Sequence, residues 1–124
     1  MAKILIAEDD TVSQKLAKRI VEKAGHSVFI SPNGKHAFET LKSNTDFELL
    51  ITDFVMPKMD GRELVIAIRN ELKYKKLPII IMSAYITVKE ISDLLEKGAT
   101  AFQAKPLNEK AFLEIMNRYL NGLK

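Results

Sequence analysis

The sequence has 124 residues, 47% hydrophobic and 28% charged, which fits one compact domain, and no separate output or DNA-binding domain is expected. With no cysteine and only His26 and His36 as imidazoles, it excludes a disulfide framework, thiolate chemistry and a histidine-rich zinc site. The net charge of +3 and pI of about 9.1 come from scattered lysines with one cluster, Lys73-Tyr74-Lys75-Lys76, so the excess reads as solvated surface and no nucleic-acid partner is expected.

Lys3-Ile4-Leu5-Ile6-Ala7 predicts a first strand that runs directly into Glu8-Asp9-Asp10. This apolar run is too short, and meets acids too soon, for a signal peptide. No stretch approaches the roughly 20 apolar residues of a membrane span. A soluble, cytoplasmic protein with no membrane partner is therefore expected. Val12, Leu16, Ile20 and Val21 recur at helical spacing and predict the buried face of a first helix, with Asp10 or Thr11 to cap its start and Gly25 its end. Ser27-Val28-Phe29-Ile30 is a second strand, stopped by Pro32-Asn33-Gly34. Ala37, Phe38 and Leu41 mark a second helix.

Leu49-Leu50-Ile51-Thr52 predicts a third strand running into Asp53, followed by the turn-rich loop Met56-Pro57-Lys58-Met59-Asp60-Gly61. Leu64, Val65, Ile68 and Leu72 mark a third helix. Pro78 to Met82 predicts a fourth strand ending at Ser83. Ile91, Leu94 and Leu95 mark a fourth helix, closed by Gly98. Ala101-Phe102-Gln103-Ala104 is a fifth strand, ending at Lys105-Pro106. Asn108 caps a fifth helix carrying Phe112, Ile115, Met116, Tyr119 and Leu120. Such βα alternation predicts a parallel sheet with helices on both faces. Strands one, three and four read as near-continuous aliphatic runs, as strands buried on both sides do. Right-handed crossovers favour the strand order 2-1-3-4-5.

Open parallel sheets bind ligands beyond the carboxyl ends of their strands. Glu8, Asp9, Asp53, Ser83 and Lys105 all fall at such ends, so three carboxylates, a hydroxyl and an ammonium should converge. Crowded carboxylates need compensation. Lys105 offsets one charge, and an all-oxygen ligand set suits Mg²⁺ or Mn²⁺ for the rest. Asp53 is then a candidate nucleophile toward phosphorus, since aspartate forms acyl phosphates. The cation, Lys105 and the Ser83 hydroxyl would stabilise charge on the transferring phosphoryl group.

Together, Ile-Leu-Ile-Ala-Glu8-Asp9-Asp10, Leu-Leu-Ile-Thr-Asp53-Phe-Val-Met-Pro57-Lys-Met-Asp60-Gly61, Ile-Met-Ser83-Ala84 and Ala-Lys105-Pro106 resemble the receiver domain of two-component response regulators, over essentially the whole chain. The resemblance implies a flavodoxin-like, doubly wound α/β fold, for which receivers are themselves a standard example of the 2-1-3-4-5 order. It implies a single receiver domain over residues 1–124: not an enzyme in the ordinary sense, but a phosphorylation-controlled switch. Asp53 becomes the phosphoacceptor. Asp9 becomes a direct metal ligand, Glu8 one acting through water, and the main-chain carbonyl of Val55 a further ligand. Ser83 would bond a phosphoryl oxygen, Ala84 would leave room for it, and Lys105 would pair with it.

The resemblance also makes Phe102 the switch aromatic. It lies on the face opposite Lys105 and, without a hydroxyl, works through packing alone. The Lys105-Pro106 bond is expected to be cis. The donor would be a histidine kinase or histidine phosphotransfer protein, with its helix lying along the first helix and the Pro106-Leu107 loop. The output would be a downstream protein met by the face of helix four, strand five and helix five. Val55 and Tyr85 would flank the line along which hydrolytic water approaches. Val55 cannot orient a water and Tyr85 is bulky, so a long-lived phosphorylated state is expected.

Three other readings fit less well. Haloacid-dehalogenase-type phosphatases place a second Asp two residues after the nucleophile, where this chain has Val55. Flavodoxin-like nucleotide modules cradle phosphate in a Gly/Ser/Thr loop after the first strand, where this chain has Glu8-Asp9-Asp10. A receiver-shaped adaptor that works without phosphate would not need these acids, Ser83 and Lys105 together.

Overall fold

The computed structural model describes residues 1–71, 74 and 76–121. Five strands and five helices alternate: β1 (Lys3–Ala7), α1 (Thr11–Lys23), β2 (Ser27–Ser31), α2 (Gly34–Ser43), β3 (Leu49–Asp53), α3 (Gly61–Glu71), β4 (Ile79–Ser83), α4 (Val88–Lys97), β5 (Ala101–Ala104) and α5 (Glu109–Asn121). All neighbouring strands pair in parallel, in the order β2-β1-β3-β4-β5. The expected strand order and fold are therefore present. Strands two, three and four each extend one residue further than expected, so Ser31, Asp53 and Ser83 are the last residues of their strands. Leu72, placed on the third helix from sequence, and Lys73 and Lys75 of the basic cluster lie outside the described residues.

Strand alternation divides the core in two. Leu5, Leu50, Ile79 and Ile81 face α2, α3 and α4, where they meet Leu41, Leu64, Ile68 and Leu94. Ile4, Ile6, Ile51, Ile80 and Met82 face α1 and α5, where they meet Ile20, Val21, Phe112 and Met116. β3 and β4 are buried along their whole length, which explains their unbroken aliphatic sequence.

The first helix departs from expectation. Its buried residues are Ala17, Ile20 and Val21, while Val12 is 75% and Leu16 37% exposed. Successive residues turn by about 100° around a helix, so Val12 and Leu16 lie beside the arc centred on the buried three and point away from the sheet. α4 is likewise held by less apolar surface than its sequence suggests: Leu94 is buried, but Leu95 is 46% exposed. Arg69 of α3 compensates. Its guanidinium donates to the carbonyls of Gly98 (3.0 Å), Leu77 (2.6 Å) and Tyr74, tying the turn after α3 to the turn after α4.

The caps follow from side-chain chemistry. Asp10 accepts the Ser13 N–H at 2.8 Å at the start of α1, as expected, and Asn108 accepts the Ala111 N–H at 2.9 Å at the start of α5. Thr87 and Glu90 form a reciprocal capping box on α4. Together these caps start α1, α4 and α5 directly above the carboxyl edge of the sheet.

Candidate functional site

At that edge β1 and β3 are adjacent, with Ala7 paired to Thr52. The residues that follow are therefore brought together: oxygens of Glu8, Asp9 and Asp53 lie within 4.8 Å of one another. The three differ in burial. Glu8 is wholly buried, Asp53 is 9% exposed and Asp9 faces solvent. One Glu8 oxygen accepts the Asp10 N–H at 3.1 Å and the other is bonded by Lys105. One Asp53 oxygen accepts the Phe54 N–H at 2.9 Å, and the other lies 3.3 Å from the Lys105 ammonium.

Lys105 thus bridges Glu8 and Asp53. Sequence reasoning reserved this ammonium for a phosphoryl oxygen and did not find the pairing with Glu8. The missing signal was burial: only the packed fold shows that the Glu8 side chain is wholly buried beside Lys105. Burial pushes the Glu8 carboxyl up from its ordinary value, and the Lys105 and Asp10 hydrogen bonds oppose the shift. Burial alone would lower the Lys105 ammonium, but its hydrogen bond to Glu8 and the charge of Asp53 outweigh burial and raise it.

Three carboxylates against one ammonium leave a formal excess of two negative charges. All the donors are hard oxygens, so the residues fit a divalent cation of the Mg²⁺ or Mn²⁺ type. Asp9, exposed and with no side-chain hydrogen bond among the described residues, is the carboxylate most free to take one.

Ser83 is 4% exposed at the end of β4. Its hydroxyl donates to the Tyr85 carbonyl and accepts the Tyr85 N–H, both at 3.2 Å, which holds the turn into α4. Met82, next to Ser83, pairs with Asp53, so the hydroxyl stands one strand over from the acids. Ala84 is exposed beside it. Val55 is 67% and Tyr85 89% exposed, so the Tyr85 ring projects into solvent and does not cover the carboxylates. Phe102 is half-buried and packs against the cluster beneath α3 and α4, whereas Lys105 sits on the α1 side, which agrees with the opposite faces expected. The Lys105-Pro106 peptide bond is cis, also as expected.

Gly61 has a role that its motif did not disclose. It bonds the Phe54 carbonyl through its N–H at 2.8 Å. A Cβ built on it would stand 2.7 Å from the Asp53 carbonyl oxygen and 2.9 Å from the Phe54 Cα. Only glycine lets the start of α3 close under the residue that carries the central carboxylate.

The family model of the response regulator receiver domain matches residues 4–117. The chain belongs to this family. The receiver is 32% identical over 117 residues to the two-component response regulator ORR11 of Oryza sativa subsp. indica, covering 94% of this chain and 80% of that one. It is also 32% identical over 113 residues to a chemotaxis protein CheY homolog of Campylobacter jejuni, covering 90% and 87%. Among solved structures, it is similar to the Vibrio cholerae chemotaxis protein CheY4, with a TM-score of 0.89, 28% identity and 97% and 99% coverage. Receivers are phosphoacceptor switches that work with histidine kinases or phosphotransfer proteins and downstream effectors. No helix among the described residues of this receiver is long and apolar enough to cross a membrane.

Proposed function

We propose that this receiver acts as a switch, taking a phosphoryl group from a histidine kinase or histidine phosphotransfer protein onto Asp53. The observation that carries this reading is the Lys105 bridge between a buried Glu8 and a nearly buried Asp53, beside an exposed Asp9. A carboxylate oxygen of Asp53 attacks phosphorus as the bond to the donor imidazole breaks. The leaving nitrogen keeps that bond's electron pair. Phe54 N–H orients the attacking carboxylate, and Lys105 turns from Asp53 toward the new phosphoryl oxygens.

Asp9, Asp53 and the Val55 carbonyl would hold Mg²⁺ or Mn²⁺, with Glu8 acting through water, and the cation would neutralise charge on the phosphoryl oxygens. The phosphoryl group adds about −1.5 to −2 charges, by analogy with other phosphorylated side chains. It draws the Ser83 hydroxyl away from Tyr85, with Ala84 leaving space. Release of the turn into the lightly buried α4 then changes the face of α4, β5 and α5 that an effector meets, and Phe102 follows through packing.

The test is intact mass after incubation with acetyl phosphate and Mg²⁺. One phosphate adduct should form, and should vanish in Asp53→Ala or with chelator. An adduct that persists in Asp53→Ala removes the assignment.

The phosphorylated state is expected to be long-lived, because neither Val55 nor the outward-pointing Tyr85 orients a water. Val55→Asn should speed loss of label by on the order of tenfold, and Tyr85→Glu in the same direction, since positioning carries much of phosphoryl-transfer catalysis. Equal or slower loss in both variants would show that these side chains do not set the lifetime.

A further inference from the structure

The three acids at the carboxyl edge are not held alike. Glu8 is fixed by Lys105 and the Asp10 N–H, and Asp53 by Lys105 and the Phe54 N–H. The Asp9 carboxylate has no hydrogen bond among the described residues, yet one of its oxygens lies within 4.8 Å of theirs. Its backbone is what is held. Pairing of β1 with β2 ends at Ala7 and Ser31, so the Glu8 carbonyl lies past the last paired residues. Gln14, half-buried at the start of α1, donates its side-chain Nε2–H to that carbonyl at 2.5 Å. The Glu8 carbonyl and the Asp9 N–H belong to one planar peptide unit, so this bond pins the plane before Asp9. The plane after it is pinned by the Asp10 N–H, which the Glu8 carboxylate accepts at 3.1 Å. Two pinned planes leave Asp9 little freedom in φ and ψ, and those angles set where its Cβ points. Gln14 is itself anchored, because its own N–H donates to the Asp10 carbonyl at 2.9 Å as α1 begins.

We propose that Gln14 is a positioning residue for the divalent cation: by holding the Glu8 carbonyl it keeps the Asp9 carboxylate beside Glu8 and Asp53 before the cation arrives. The inference rests on the phosphoacceptor reading above and adds to it a residue outside the acids, the hydroxyl and the ammonium. Asp9 faces water, and an unpinned loop would let it turn toward solvent and away from Asp53. A group ordered in advance costs less to immobilise on binding. Partners that orient a ligand in this way typically carry about tenfold or more in metal affinity. The bond reaches back six residues from α1 to the end of β1, so it needs a long side chain with a donor at its tip. Methionine keeps the length and the packing and removes the donor.

Free Mn²⁺ has a sharp electron paramagnetic resonance spectrum that broadens away on binding, so a titration reads affinity without any labelling reaction. Gln14→Met should weaken Mn²⁺ binding by about tenfold. In the metal-free protein labelled with ¹³C and ¹⁵N, the Glu8 carbonyl carbon and the Asp9 amide should shift in Gln14→Met, which reads the lost bond. Amides of α3 and β4 should stay in place, which reads the fold. Labelling of the variant by acetyl phosphate should be slow at limiting Mg²⁺ and return to the wild-type rate at saturating Mg²⁺, because Asp53, Ser83 and Lys105 are untouched. Gly25→Ala, strained in the turn after α1, should bind Mn²⁺ as the wild type does. An affinity of Gln14→Met within about twofold of the wild type, an equal loss in Gly25→Ala, or slow labelling that saturating Mg²⁺ does not restore would each overturn the proposal. So would a wild type that binds no Mn²⁺. The two readings fail separately. Gln14-dependent Mn²⁺ binding in a protein that acetyl phosphate does not label would keep the positioning role and remove the phosphoacceptor. Labelling at limiting Mg²⁺ that is equally fast in Gln14→Met would keep the phosphoacceptor and remove Gln14.

Discussion

Lys105→Met should destabilise the protein by about 3 kcal/mol at neutral pH, the scale seen when one member of a buried ion pair is removed. In a domain of this size that is a fall in Tm of roughly 10 °C. Methionine keeps most of the packing volume, so the loss is electrostatic. Glu8, with no exposure, is left with only the Asp10 N–H as a hydrogen-bond donor to its carboxylate. The double variant Lys105→Met with Glu8→Gln should recover at least half of the loss, because the buried charge is gone while the Asp10 bond can remain.

The pH dependence has a definite sign. The Glu8 pKa is already raised by burial, and removing Lys105 raises it further. A carboxyl whose folded pKa lies above its unfolded value stabilises the fold as it takes up its proton. The deficit of Lys105→Met should therefore shrink as pH falls from about 7 toward about 5. Mg²⁺ should also stabilise Lys105→Met more than the wild type, since a cation bound at the acids takes over the missing ammonium's charge. Denaturant unfolding with and without Mg²⁺ reads all three effects. A variant within about 0.5 kcal/mol of the wild type would show that the bridge contributes nothing net.

Much of this site was legible as a pattern of strand ends. A hydrophobic run that stops on an acid, a hydroxyl or an ammonium is visible in sequence, and the parallel topology gathers those ends. What each residue does there was less visible. Glu8 and Asp9 are adjacent and chemically alike, yet one is sealed under Lys105 and the other faces solvent, which depends on strand pleat and on the packing of β5. The exposure of Val12 and Leu16 was misread because periodicity reports apolar residues, not what they face. A helix that packs a sheet on one side and keeps an apolar pair on the other produces one broad stripe in the sequence. Arg69 gave no signal at all. Its partners are backbone carbonyls in two turns, and carbonyls carry no residue identity.

Gly61→Ala should slow phosphorylation of Asp53 far more than its one added methyl suggests. The new Cβ would meet the Asp53 carbonyl oxygen at 2.7 Å and the Phe54 Cα at 2.9 Å, and both are backbone atoms that cannot rotate aside. The strain falls on Asp53 and Phe54. It displaces the N–H that orients the Asp53 carboxylate and, one residue on, the Val55 carbonyl. A misplacement of about 1 Å can cost about 100-fold in rate, so labelling by acetyl phosphate should fall on that scale, with a stability loss of about 2 kcal/mol. Gly25→Ala supplies the contrast. Gly25 has φ of 94° and nothing within 4 Å of its would-be Cβ. It sits in the turn between α1 and β2, at the end of the molecule opposite the carboxylates. Alanine there should cost about 1 to 2 kcal/mol through backbone strain alone and leave the labelling rate of the folded protein unchanged. If both variants lost labelling in proportion to their stability, Gly61 would be a folding residue only. A rate loss confined to Gly61→Ala, measured well below both Tm values, would tie the close backbone approach beneath Asp53 to the chemistry.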